Sequence, residues 1–72
     1  MSAFSDRLKE LRKLKKLTQI QAATGIGVSE QAYQKYEYGK REPGIGFAIA
    51  LADYFDVSLD YLVGRSDDPA RH

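Results

Sequence analysis

Gln19-Ile20-Gln21-Ala22-Ala23-Thr24-Gly25-Ile26-Gly27-Val28-Ser29-Glu30-Gln31-Ala32-Tyr33-Gln34-Lys35-Tyr36-Glu37-Tyr38 is the stretch that decides the fold. It reads as a short helix, a tight turn and a second short helix. Thr18-Gln19-Ile20-Gln21 fits a capping box, with a hydroxyl at the cap and Gln three residues later. The helix it starts is short, because Gly25 and Gly27 follow. Ala23 falls midway along it, and a residue that small lets the second helix cross close above. Gly27 sits in the turn, where glycine takes a positive φ at little cost. Ser29 is placed to cap the second helix, which runs to about Tyr38, and Gly39 to end it in the left-handed conformation. Ala22, Ile26, Val28, Tyr33 and Tyr36 then lock the pair together and onto what precedes it. Glu30, Gln31, Gln34 and Lys35 are left facing outward. This is the pattern of a helix-turn-helix, whose second helix suits the major groove of DNA.

Outward from that centre, three more helices complete an all-α chain with no strand. Phe4, Leu8 and Leu11 repeat at i, i+4 and i+7 and make one apolar stripe over about Phe4–Lys15. Ser5 is its expected N-cap, and Asp6 suits the positive end of its dipole. Lys40-Arg41-Glu42-Pro43-Gly44 reads as a loop, with Pro43 biasing Glu42 away from helical geometry. A fourth helix covers about Ile45–Phe55, with Ile45, Ala48, Ile49, Ala52 and Phe55 expected on its buried face. The last is capped by Ser58 and holds Leu59, Leu62 and Val63 before Gly64. Residues 4–64 form the expected domain, a compact five-helix bundle. Residues 65–72 form a short polar tail expected to fray.

Composition narrows the function. The 72 residues suffice for one small domain, with 43% hydrophobic and 29% charged residues. There is no Cys, and the single His is residue 72, so neither a metal site nor thiol or imidazole catalysis is expected. No cofactor is expected either, because Gly25-x-Gly27 and Gly44-x-Gly46 are lone fragments without a preceding strand. No uncharged run approaches the ~20 residues a membrane helix needs. The N-terminus lacks the basic and apolar regions of a signal peptide, which makes the cytoplasm the default location. Residues 1–41 carry nine Lys/Arg and four Asp/Glu, a net +5, whereas residues 42–72 carry two and six, a net −4. A one-sided basic surface suits a polyanion.

The ordered set of pieces resembles the lambda-repressor-like, Cro/CI-type (XRE) helix-turn-helix family of phage and bacterial regulators. The pieces are Arg7-Leu8-Lys9-Glu10-Leu11-Arg12, Leu17-Thr18-Gln19, Ala23, Gly27-Val28-Ser29, Lys35-Tyr36-Glu37, Gly39-Lys40-Arg41-Glu42-Pro43 and Leu51-Ala52-Asp53-Tyr54-Phe55, with the run from Val57 to Pro69. The resemblance implies a five-helix domain that binds operator DNA as a transcriptional regulator, often a repressor and often a homodimer on a palindrome. It places Glu30, Gln31 and Lys35 at base-facing positions, with Gln34 beside them. Chemistry agrees: Gln pairs bidentately with adenine, Lys donates to guanine, and Glu accepts from cytosine. Gln19 stands where the family holds a phosphate with a side-chain amide and helix N–H groups. Lys40 and Arg41 follow the recognition helix as backbone contacts, and Lys15 and Lys16 are weaker candidates. Arg12 and Glu37 match an ion pair that ties the first helix to the end of the recognition helix.

Two departures carry their own expectations. Tyr33 stands where the family more often has an aliphatic residue, so its ring is expected in the core with its hydroxyl reaching solvent or phosphate. Helix four is apolar nearly all round, which usually signals burial. Phe47, Ala50 and Tyr54, opposite its expected core stripe, are therefore candidates for a dimer or partner face, with Leu59, Tyr61 and Val63 as alternatives. A role in binding mainly another protein, as in antitoxins or adaptors, stays open beside DNA binding.

Overall fold

The computed structural model describes residues 3–71; Met1, Ser2 and His72, the last residue of the expected tail, lie outside the described residues. Helices α1 (Ala3–Leu14), α2 (Gln19–Ile26), α3 (Glu30–Glu37), α4 (Ile45–Phe55) and α5 (Leu59–Leu62) follow in order, and the described residues contain no strand. Three hydroxyl caps set the starts. Thr18 Oγ1 accepts from the Gln21 N–H at 3.1 Å, while the Thr18 N–H donates to Gln21 Oε1 at 2.9 Å, closing the capping box. Ser29 Oγ accepts from the Ala32 N–H at 3.1 Å, and Ser58 Oγ from the Tyr61 N–H at 3.0 Å. Each such cap contributes about 1 kcal/mol. Gly44 heads α4 without a side-chain cap. Helix α2 runs through Gly25 and stops at Gly27, whose φ of 93° turns the chain so that its N–H and that of Val28 both return to the Ala23 carbonyl.

The core gathers a face from every helix: Phe4, Leu8 and Leu11 from α1, Ala22 and Ala23 from α2, Tyr33 and Tyr36 from α3, Leu51, Ala52 and Phe55 from α4, and Leu62 from α5. Ala23 is buried where α2 and α3 cross, so a larger side chain there would push the recognition pair apart. Gly25 serves a second close approach. A Cβ added at that residue would overlap the Tyr54 phenol, so the absent side chain leaves room for that ring of α4 against α2.

Three local expectations are corrected. Ser5 lies inside α1 and is buried, so it is not the cap of that helix. Helix α4 buries Ala48, Ala52 and Phe55 as expected but is rotated enough that Leu51 joins them in place of Ile45 and Ile49. Ala48, Leu51, Ala52 and Phe55 face the core, whereas Ile45 is 69% exposed and Ile49 45% exposed. The described part of the tail is anchored, not frayed. The Ser58 N–H donates to the Pro69 carbonyl at 3.0 Å. Arg7 donates to the carbonyls of Tyr61 (2.8 Å) and Ser66 (2.7 Å) and to Asp67 (2.8 Å) while lying 4.0 Å from the Tyr61 ring centroid. Arg71 donates to Asp53 at 2.7 Å and to the Ala52 carbonyl at the end of α4. Polar residues of this segment thus take protein partners while staying largely exposed.

Candidate nucleic-acid interface

Helix α3 divides cleanly by face. Tyr33, Tyr36 and Glu37 turn inward, while Glu30, Gln31 and Lys35 are exposed. Gln31, Lys35 and Tyr38 stand at i, i+4 and i+7, so they line one outward stripe. Tyr38, 53% exposed, was not among the sequence candidates. Its spacing from Gln31 was the available signal. Glu30 occupies the first position of the helix, where a carboxylate favours the positive end of the dipole. Just past the helix, Lys40 and Arg41 are exposed, with the Arg41 guanidinium 5.6 Å from the Tyr36 ring centroid. Lys15 and Lys16 are exposed in the turn between α1 and α2. The cations are therefore carried by the two turns that flank the helix pair.

Two expected contacts are placed differently. Gln34 is half-buried, and its Nε2 donates to Gln19 Oε1 at 3.0 Å. It does not share the exposed face of Gln31 and Lys35. The Gln19 amide is likewise engaged within the protein, donating to Glu37 Oε1 at 3.2 Å and to the Tyr38 hydroxyl at 3.4 Å. At the start of α2, outward donors are then the first-turn N–H groups that no helix carbonyl accepts.

These amides hang from a buried ion pair. Arg12 Nε donates to Glu37 Oε2 at 2.5 Å, Nη2 to Oε1 at 3.2 Å, and Nη1 to the Leu17 carbonyl at 2.8 Å. The Glu37 carboxylate is fully enclosed, and the Arg12 side chain is 13% exposed. Burial alone pushes the Glu37 carboxyl upward, but the hydrogen bonds from Arg12 and Gln19, with the Tyr33 hydroxyl dipole nearby, outweigh it and hold the group below its ordinary range. The Arg12–Glu37 geometry ties α1 to the C-terminal end of α3.

Tyr33 fills the core, but its hydroxyl reaches neither solvent nor an outward phosphate position. It is buried beside this pair without a well-aligned hydrogen bond. Burial first, and then the adjacent Glu37 carboxylate, raise its pKa and keep its proton on. Tyr33→Phe should therefore change thermal stability by less than about 1 kcal/mol, because removing a hydroxyl without an aligned partner offsets the loss of its dipole beside the Glu37 carboxylate. A melting curve checks this, and a loss above 1 kcal/mol contradicts it.

The candidate partner face is also redistributed. Phe47 turns against Tyr36, with ring centroids 4.7 Å apart, and packs onto the core. It is therefore not part of an open face. Tyr61 lies half-buried under Arg7, and Tyr54 covers Gly25. Ala50 is exposed, while Leu59 and Val63 are half-buried. The exposed large apolar groups of α4 are Ile45, Ile49 and, at its edge, Tyr54. Among the described residues no group of three or more His, Cys, Asp or Glu could hold a metal ion, and no helix is long and apolar enough to cross a membrane.

A left-handed glycine turn between two eight-residue helices, set in five helices with the second helix braced and one face open, defines a helix-turn-helix domain. Residues 8–62 match the helix-turn-helix family, and the chain belongs to that family in its lambda-repressor-like form. It is 47% identical over 66 residues to the uncharacterized HTH-type transcriptional regulator YqaE of Bacillus subtilis, covering 90% of this chain and 57% of that protein. It is 40% identical over 62 residues to the cryptic phage CTXphi transcriptional repressor RstR of Vibrio cholerae, covering 86% and 55%. The chain thus spans little more than half the length of these curated relatives. Among solved structures, the P22 c2 repressor in complex with a synthetic operator is similar at a TM-score of 0.80 and 28% identity, covering 88% of this chain and 96% of that one.

Proposed function

We propose that this domain binds double-stranded operator DNA as a phage or bacterial transcriptional regulator, most simply a repressor, with α3 in the major groove. The observation that carries the reading is the exposed stripe of Gln31, Lys35 and Tyr38 on a helix braced from behind, with Lys40 and Arg41 immediately beyond it. Gln31 suits adenine, Lys35 suits guanine and Glu30 suits cytosine, while Tyr38, Lys40, Arg41, Lys15 and Lys16 suit the sugar-phosphate backbone. It is read as a binding domain, not an enzyme, acting in the cytoplasm where such DNA is found. The P22 c2 repressor–operator complex supports the docking by analogy of fold.

Two copies on a palindrome, with half-sites about one helical turn apart, extend the proposal. Ile45 and Ile49, with Ala50 nearby, supply exposed apolar surface for the second copy. The same two isoleucines favour a second reading, in which the surface engages a different protein and DNA is secondary. DNA fragments selected from a random pool, followed by affinity measurements across salt, decide between them. A regulator prefers one sequence and loses affinity steeply, with a log–log salt slope of about −0.9 for each cation engaged. Absence of any binding at low salt would leave the protein-binding reading in front.

A further inference from the structure

We propose that Gln34 is a positioning residue, acting through Gln19 to fix the roll of α3 against α2, and that it is not a reader of a base. The proposal rests on the DNA-binding reading above and deepens it. Polarity passes along a chain of side chains that begins at Arg12. Arg12 pins the Glu37 carboxylate, which can only accept. The Gln19 amide must therefore turn its NH2 group toward Glu37, where it also meets the Tyr38 hydroxyl. Flipping that amide would set its oxygen against a buried carboxylate. Its oxygen is thereby directed at Gln34, which answers with its own NH2 group at 3.0 Å.

The result is a three-point grip on one face of α3. Gln34, Glu37 and Tyr38 lie at i, i+3 and i+4, all bonded to the single Gln19 side chain at the start of α2. A grip on that face fixes rotation of the helix about its own axis. The neighbouring stripe, Gln31 and Lys35, is thereby delivered at one angle. Base-edge hydrogen bonds tolerate placement errors of only about 0.5 Å, so a loosened roll degrades every contact of the stripe together. A base reader at residue 34 would instead act at one base pair.

The test uses the whole chain with Gln34→Met, Gln19→Met and the double variant. Methionine keeps side-chain length and burial but removes the amide. Without DNA, the Gln19 side-chain amide signals in a nitrogen–proton spectrum should lie away from those of an exposed glutamine and should move in Q34M. With the selected duplex and its single-base-pair variants, Q34M should weaken binding roughly three- to tenfold, the size expected for one lost neutral hydrogen bond, and Q19M, which removes all three bonds of the grip, by at least as much. Either loss should spread over several base pairs, leave the salt slope unchanged, and grow no further in the double variant than in Q19M. A Q34M effect confined to one base pair and additive with Q19M overturns the proposal, since Gln34 would then read that base. Gln19 signals that ignore Q34M overturn it whether or not DNA is bound. A wild-type chain that prefers no duplex sinks the DNA-binding reading instead, and the amide signals still decide the relay.

Discussion

Arg12→Met should destabilise the domain by about 3 kcal/mol, in the range for stripping one partner from a buried ion pair. A 72-residue domain is worth roughly 4–11 kcal/mol in total, so the fall in melting temperature should be roughly 12–24 °C. Glu37→Met should do less harm. The guanidinium it strands is 13% exposed and can turn toward water, whereas the carboxylate stranded by Arg12→Met is fully enclosed. The double variant should recover most of the loss, because two apolar side chains leave no charge without a partner. A double variant as unstable as Arg12→Met would show that the pair itself carries the stability.

The same pair sets the acid response. Glu37 titrates below its ordinary value of 4.5 in the folded state, so its contribution is fully present above that pH. It is lost as the pH falls from there through the folded value. In Arg12→Met, burial prevails and the folded pKa rises above the unfolded one. Stability is then retained at low pH and declines as pH rises above the ordinary value of 4.5 through the raised folded one. Opposite slopes in denaturant melts across pH 3 to 7 are the expected result (a range chosen about the ordinary Glu value). Parallel slopes would mean that Arg12 is not what holds the carboxylate ionised.

The second large effect falls on recognition. Replacing Gln31 and Lys35 by Ala should remove roughly 1–3 kcal/mol of base discrimination per side chain, a five- to hundredfold narrowing between the best duplex and its variants. Replacing Lys40 and Arg41 should weaken all duplexes alike and flatten the salt slope by about one for each charge removed. Binding curves on matched and mismatched duplexes separate the two classes. If the first pair leaves the preference intact, the bases are read by other side chains.

The helix-turn-helix was legible because its punctuation is local. Thr18, Gly27 and Ser29 each act within four residues of themselves, through a cap or a backbone angle, so sequence spacing alone defines them. The register of α4 was not read correctly because two apolar stripes compete in Ile45–Phe55. The deciding signal was faint but present: Asp53, the single charged residue of that helix, follows Ile49 by four and Ile45 by eight. It therefore marks their stripe as outward. The pairing of Gln19 with Gln34 was illegible for a different reason. Amide orientation depends on what lies across a helix crossing, and residue type alone offers both polarities. The contacts of the tail were illegible because a polar composition does not say whether its partners are solvent or, as here, Arg7 of α1 and the end of α4.

Arg7 reaches residues 54, 59 and 60 positions further along the chain. That reach has a consequence for synthesis on the ribosome. The first helix is made first yet completes its grip only after Asp67 has emerged from the exit tunnel. Vectorial synthesis therefore leaves the nascent domain one clasp short until that segment arrives.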